Sequence, residues 1–403
     1  MNQRKQISGN VLGSARAEAD KRMLGEAFVE TSDYLALKNT DDFNFIVGRR
    51  GTGKTALYLR LISEFSHDRR SQTHSVKPEE HDSLIYLKLI RKLGLNSYER
   101  VRSASRVLWR ISVLFTVAAD LCSHWKFKAT QDYGILSAYL SKRKNLLKFN
   151  ELQRCHALLN EVSKTCAGPD ELPALVASTF ELSALESLVR SGLECTGSRC
   201  VFLFDGLDEG LRTDTFSIGI LGGLAIAIAG FKDADLPIHG QVFIRDNIFR
   251  SLAAQDSDYS RHIEGNTLRL HWDEDSLFNF VTNRLRMAFD LQDIESNVRV
   301  WSRFARRGLS GREGFQRCLQ HTLYRPRDLL VLLNGAAVRA DRTGRKDIIE
   351  DDIRITSKQV SLDRLADLNK EYEGVFPGLS IVTDYLIGGD AFQTLDSIMN
   401  RLI

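Results

Sequence analysis

Residues 46–58 read IVGRRGTGKTALY, and this stretch limits the fold more than any other in the chain. Gly48, Gly53, Lys54 and Thr55 satisfy G-x-x-x-x-G-K-[ST]. The motif has meaning only where a strand runs into the loop and a helix leaves it. Phe43-Asn44-Phe45-Ile46-Val47 reads as a short buried strand, and Leu57, Leu59, Leu61, Ile62 and Phe65 recur at helical spacing. Glycines let a backbone wrap closely round an anion, because a Cβ would clash. The first N–H groups of the following helix lack internal partners and face the loop. The run Gly48-Arg49-Arg50-Gly51-Thr52-Gly53-Lys54-Thr55-Ala56 is therefore predicted to cradle the phosphates of ATP. Lys54 is expected to reach the β- and γ-phosphates, and Thr55 to offer its hydroxyl to Mg²⁺.

A nucleotide site of this kind needs a second part, an apolar strand ending in an acid that anchors the metal. Residues 200–209, CVFLFDGLDE, supply it. Cys200 to Phe204 are five consecutive apolar residues, as suits a strand buried on both faces. Asp205 is the expected Mg²⁺ partner, through water. Asp208 or Glu209 is expected to orient the attacking water, with Glu209 preferred.

Further along, Ile238 to Asp246 reads as another core strand ending in polar residues. Ligands in open α/β sheets bind beyond the carboxyl ends of strands. Arg245 and Asp246 are thus expected near the nucleotide, the alternative being a surface ion pair. Thr267 to Leu270 is a further strand, and Asp273 can cap the helix that follows. Beyond it the pattern is all-helical. In YRPRDLLVLLNGA (324–336), Pro326 suits a first helical turn and Asp328 complements its positive end. Arg327 gains nothing from the dipole there, which suggests an external anion or an arginine turned to solvent.

The expected fold is α/β. A parallel-sheet P-loop NTPase core occupies residues 1–271 and carries a helical insertion at about 98–195. An all-helical lid follows over 272–345, then a small helical or winged-helix-like unit over 346–403. Residues 68–97 read as a polar, interrupted stretch with a loop. The chain ends in SIMNRLI, which suggests either a cut end of a longer protein or a docking surface.

Composition narrows the class. With 43% hydrophobic and 27% charged residues, the chain reads as a soluble globular protein. Its six cysteines are scattered, with no C-x-x-C pair, as expected of a reducing, cytoplasmic setting. The basic start MNQRKQISGN has no apolar run of a signal peptide. The uncharged stretch 215–231 is only 17 residues long and lies inside the core, so a buried helix is expected rather than a membrane span. Net charge is +3, too small to imply nucleic acid. The charge is uneven, however. Residues 98–150 hold ten Lys/Arg and three acids, with Arg102, Arg106 and Arg110 at i, i+4, i+8 and Trp109 and Trp125 close by. That face is either a nucleic-acid or acidic-partner surface, or a solvated helix face, the commoner case.

GRRGTGKTA, FLFDGLDE, FIRDNIF and RPRDLL together resemble an AAA+-related P-loop ATPase. The Asp-Gly-hydrophobic-Asp-Glu order is similar to that of NACHT and other STAND NTPases, and the last two motifs to origin-recognition-like and KAP-type ATPases. The resemblance implies ATP and Mg²⁺ as ligands, a lid arginine at Arg327 with Arg325 as rival, and homo-oligomers that act on a protein effector. It also brings antiviral defence into view. The competing expectations are a DNA-handling ATPase that uses the basic insertion, and a nucleotide-stabilised scaffold with negligible turnover.

Overall fold

In the computed structural model, residues 9–68, 70–208, 214–256, 263–291, 295–373, 376–386 and 394–402 are described. Five strands form one parallel sheet: β1 (Phe45–Gly48), β2 (Ser71–Val76), β3 (Arg199–Phe204), β4 (Ile238–Arg245) and β5 (Thr267–Arg269). Their order is β2-β3-β4-β1-β5. The fold is the α/β class that the sequence predicts. β1, β3 and β4 are buried along nearly their whole length because helices cover both faces of the sheet. β4 stands between the loop strand and the acid strand. Its register sets Arg245 beside Gly48, the last residue of β1.

The polar stretch before residue 84 is a strand in part, not a loop. β2 pairs with β3 from Ser71↔Arg199 to Val76↔Phe204. It escapes a hydrophobicity reading because it is the sheet's edge, where only one side is paired and SQTHSV stays half-buried. His74 stacks on Phe202 at 4.5 Å, and Tyr58 and Ser75 share a 2.6 Å hydrogen bond. The residues that follow form a helix, Glu80–Lys92.

Helix α1 (Lys54–Phe65) leaves the loop, and α2 (Tyr98–Ser123) opens the insertion. The insertion is helical throughout, as predicted, and it belongs to the core. α2 is 26 residues long, and its buried side includes Val101, Leu108, Trp109, Leu114 and Phe115. It packs along α3 (Thr215–Asp233), the uncharged stretch, whose N-cap Asp214 accepts from the N–H groups of Phe216 and Ser217 at 3.0 Å. By length and composition α3 could cross a membrane, yet 67% of its apolar window is buried inside the protein. Burying each such Ile, Leu or Phe contributes about 1.5–3 kcal/mol. The two helices approach closely because α3 presents glycines. A Cβ on Gly223 would stand 2.5 Å from Ser105 Cβ and 2.7 Å from the Arg106 nitrogen.

Arg16–Trp272 form one compact unit, and Met1–Ala15 with Asp273–Ile403 form a second. In the second, α4 (Glu274–Phe289) is capped by Asp273, which accepts from Ser276 N at 2.7 Å. Phe278, Trp301 and Phe315 make its aromatic centre. α5 (Pro326–Arg342) and α6 (Glu350–Tyr372) follow, then two short helices. Residues 9–15, which the sequence reading places with the core, belong to this helical unit. Leu12 is fully buried there, donating to Asn334 Oδ1 at 3.0 Å and accepting from Arg284 at 2.7 Å.

Candidate nucleotide site

Gly48 closes β1, and a Cβ on it would stand 2.5 Å from Thr52 Oγ1, so no other residue leaves the loop room to turn. Gly51 and Gly53 have φ of 88° and 97°, the left-handed region that a Cβ disfavours. Gly53 lies directly before α1. Lys54, Thr55 and Ala56 therefore enter a first turn whose N–H groups have no helical acceptor. Thr52 ties the loop to itself, its N and Oγ1 donating to Arg49 O at 3.3 and 2.8 Å. Lys54 Nζ donates to Gly48 O at 2.6 Å and Arg49 O at 3.2 Å, so its ammonium lies across the loop. Arg49 is half-buried and Arg50 exposed.

Asp205 follows β3 and is 5% exposed. Thr55 and Lys54 of the loop both favour the charged form of its carboxylate, so the loop and the acid strand meet. Burial is the strongest influence on Asp205 and pushes its carboxyl above the ordinary range, while Lys77 opposes this. Two hard oxygens held together, one of them a carboxylate, suit Mg²⁺, which keeps waters and takes phosphate oxygens as its other ligands. Among the described residues no group of three or more His, Cys, Asp or Glu gathers for a metal.

Asp208 is buried and accepts from Arg245 twice, from the backbone N at 3.2 Å and from Nε at 3.1 Å. It thereby anchors the end of β4. Asp246 starts the helix Asp246–Gln255 and holds Arg250 at 2.6 Å and Arg269 at 2.8 Å. Glu209, the preferred water-orienting acid, lies outside the described residues.

Two residues at the site carry no sequence motif. Trp272 Nε1 donates to Thr52 O at 2.9 Å and so fastens the loop from beyond β5. Its signal was position, three residues past the carboxyl end of a strand. Lys77, the residue after β2, places Nζ 3.6 Å from Asp205 Oδ2 and 3.0 Å from Glu18 Oε1. It is invisible while β2 is taken for a loop.

Arg327 and Arg325 belong to the helical unit. Arg327 Nε donates to Ala15 O at 3.3 Å. Arg325 is buried, 3.9 Å from the fully buried Asp328, which Arg364 approaches to 3.4 Å. Burial raises the Asp328 carboxyl, and Arg364 and Arg325 oppose it.

The arginine stripe of the insertion is divided. Arg102 pairs with the buried Asp256, and Arg110 is buried against Glu186 with its guanidinium 4.8 Å from the Phe231 ring centre. Arg106 is exposed. Trp109 is a core residue, whereas Trp125 is 73% exposed.

Residues 275–369 match the FunZ-associated C-terminal helical domain. The chain is 39% identical over 374 residues to an 80.3 kDa protein assigned to transposon gamma-delta in Escherichia coli (strain K12), covering 93% of this chain. It spans about half, 53%, of that relative's length. Among solved structures it is similar to Cdc6p from Pyrobaculum aerophilum, with a TM-score of 0.37, 12% identity, and 97% of this chain and 87% of that one covered. It is likewise similar to the Aeropyrum pernix ORC2 protein, with a TM-score of 0.35, 13% identity, and 98% and 82% covered. At these scores the likeness carries no weight, and the fold rests on the strand order and register above. Allergen Alt a 2 of Alternaria alternata is 52% identical over 141 residues, which are 35% of this chain and 74% of that protein. With that identity over most of the relative, the chain belongs to the same protein family as Alt a 2.

Proposed function

We propose that the chain binds ATP with Mg²⁺ and hydrolyses it, and that it works as an oligomerising switch on a protein effector. The approach of the glycine loop to the buried Asp205 carries the nucleotide part, because Thr55 and Lys54 of the loop act on the acid at the end of β3, where a metal would sit. The α1 N–H groups and Lys54 neutralise the phosphate oxygens. Thr55 and Asp205 would hold Mg²⁺, which would supply charge withdrawal from the phosphates. Glu209 orients the water, while Asp208 keeps Arg245 at the end of β4. Arg327 is the proposed reader of the γ-phosphate, and oligomer assembly follows the nucleotide state. Antiviral defence is the setting that the sequence motifs suggest for such a switch. ATP turnover and molar mass by light scattering, each with ATP, with ADP and with EDTA, test this. Turnover that stops with EDTA and a mass that rises with ATP are expected. No Mg²⁺-dependent turnover, or one mass in all three conditions, rejects the reading.

A second reading, a DNA-handling ATPase, is supported by the transposon assignment of the E. coli relative and by the exposed Arg106 on the basic insertion. Since Arg102 and Arg110 are held by internal acids, Arg106 is the stripe's available phosphate contact. Arg106→Glu is expected to lower the slope of log affinity against log salt by about 1. Wild-type protein that binds no DNA in 50 mM salt, a condition chosen to favour phosphate contacts, would eliminate this alternative.

A further inference from the structure

Lys77 stands between two acids of unlike character. Asp205, 3.6 Å away, is almost fully buried at the metal position, with a side chain 7% exposed. Glu18, 3.0 Å away, is half-exposed and belongs to the short helical turn Ala17–Ala19, far away in sequence. Lys77 itself comes from the sheet edge, where β2 ends beside β3, and its backbone is fixed by that pairing. Only its flexible four-carbon stem has to move to favour one acid over the other. The other lysine at the site, Lys54, is occupied with the Gly48 and Arg49 carbonyls.

We propose that Lys77 is a positioning residue shared between Asp205 and Glu18, and that it yields Asp205 to Mg²⁺ and settles on Glu18 when nucleotide binds. This rests on the nucleotide reading above. Electrostatics gives it direction. A buried carboxylate left without a counter-charge is costly, so Lys77 supplies one while the metal is away. A divalent cation at Asp205 repels an ammonium a few ångströms off, and Glu18 is already within bonding distance to accept it. The turn Ala17–Ala19 is then held more firmly. Residues 9–15, immediately before it, are gripped in the helical unit by Asn334, Arg284 and Arg327.

The test is the Mg²⁺ concentration that half-saturates binding of a fluorescent ATP analogue, in wild type, Lys77→Met, Glu18→Gln and the double variant. Lys77→Met removes a competing cation, so half-saturation is expected at about three- to fivefold lower Mg²⁺, the strength of a half-exposed ion pair. Glu18→Gln removes the acid that competes with Asp205 for Lys77 and should shift it the opposite way. The double variant should behave as Lys77→Met, because Glu18 acts only through Lys77. Trypsin cleavage at Arg16 and Arg22 gives a readout without nucleotide. Both single variants should be cut faster than wild type there. Weaker analogue binding by Lys77→Met at saturating Mg²⁺ would make Lys77 a phosphate ligand and overturn the sharing. So would an unchanged Mg²⁺ midpoint with unchanged cleavage, and both outcomes leave the nucleotide site standing. Wild type that binds no analogue at any Mg²⁺ concentration overturns the nucleotide reading and the sharing with it.

Discussion

Lys54→Ala is expected to raise the dissociation constant for ATP by about 100-fold, with little loss of stability. Hydrogen bonds to charged groups contribute about 1.5–3 kcal/mol, and 1.4 kcal/mol is tenfold in affinity. Lys54 is half-buried at the mouth of the loop, and its ammonium donates to the carbonyls of Gly48 and Arg49. Water can solvate both carbonyls once the ammonium is gone, so the sheet loses no packing. Glu209→Gln separates binding from chemistry: the amide keeps the shape but cannot polarise water, so ATP should still bind while turnover is lost. Calorimetric titration of ATP, beside a thermal melt, checks both. A Lys54→Ala protein that melts normally and binds ATP as tightly as wild type would remove the phosphate assignment from residues 48–55.

The parts of this site that the sequence makes legible are those where one backbone need dictates residue type. Gly48 has no room for a Cβ, and Gly51 and Gly53 sit at positive φ, so the loop is written in glycine. β3 is covered on both faces and reads as CVFLF. β2 is paired on one side only, and neither SQTHSV nor the lysine after it stands out. Trp272 is chosen by tertiary contact, the indole reaching Thr52 O, and no local pattern announces that. The arginine stripe shows the opposite error. Spacing placed Arg102, Arg106 and Arg110 on one side of a helix, but spacing says nothing of Asp256 and Glu186, which lie 154 and 76 residues away in sequence. Periodicity finds faces; partners come from the fold.

The same substitution at two glycines should change stability in opposite directions. Gly223 lies in α3 against α2, where an added Cβ would meet Ser105 Cβ at 2.5 Å, Arg106 N at 2.7 Å and Arg102 O at 2.8 Å. Two of these atoms are backbone and cannot turn aside, so the helices must separate. Overpacking of this kind costs about 1–3 kcal/mol, occasionally more, and Gly223→Leu should exceed Gly223→Ala. Gly134 lies in the helix Gln131–Lys142, is exposed, and has nothing within 4 Å of the position a Cβ would take. There alanine restores helix propensity and should stabilise by up to about 0.5–1 kcal/mol. Urea unfolding at constant m-value measures both. The sign difference isolates packing, since loss of glycine's backbone freedom favours alanine at either site. If Gly223→Ala is neutral, α2 is not seated on α3 at this distance. The insertion would then be an appendage on the sheet rather than part of its core.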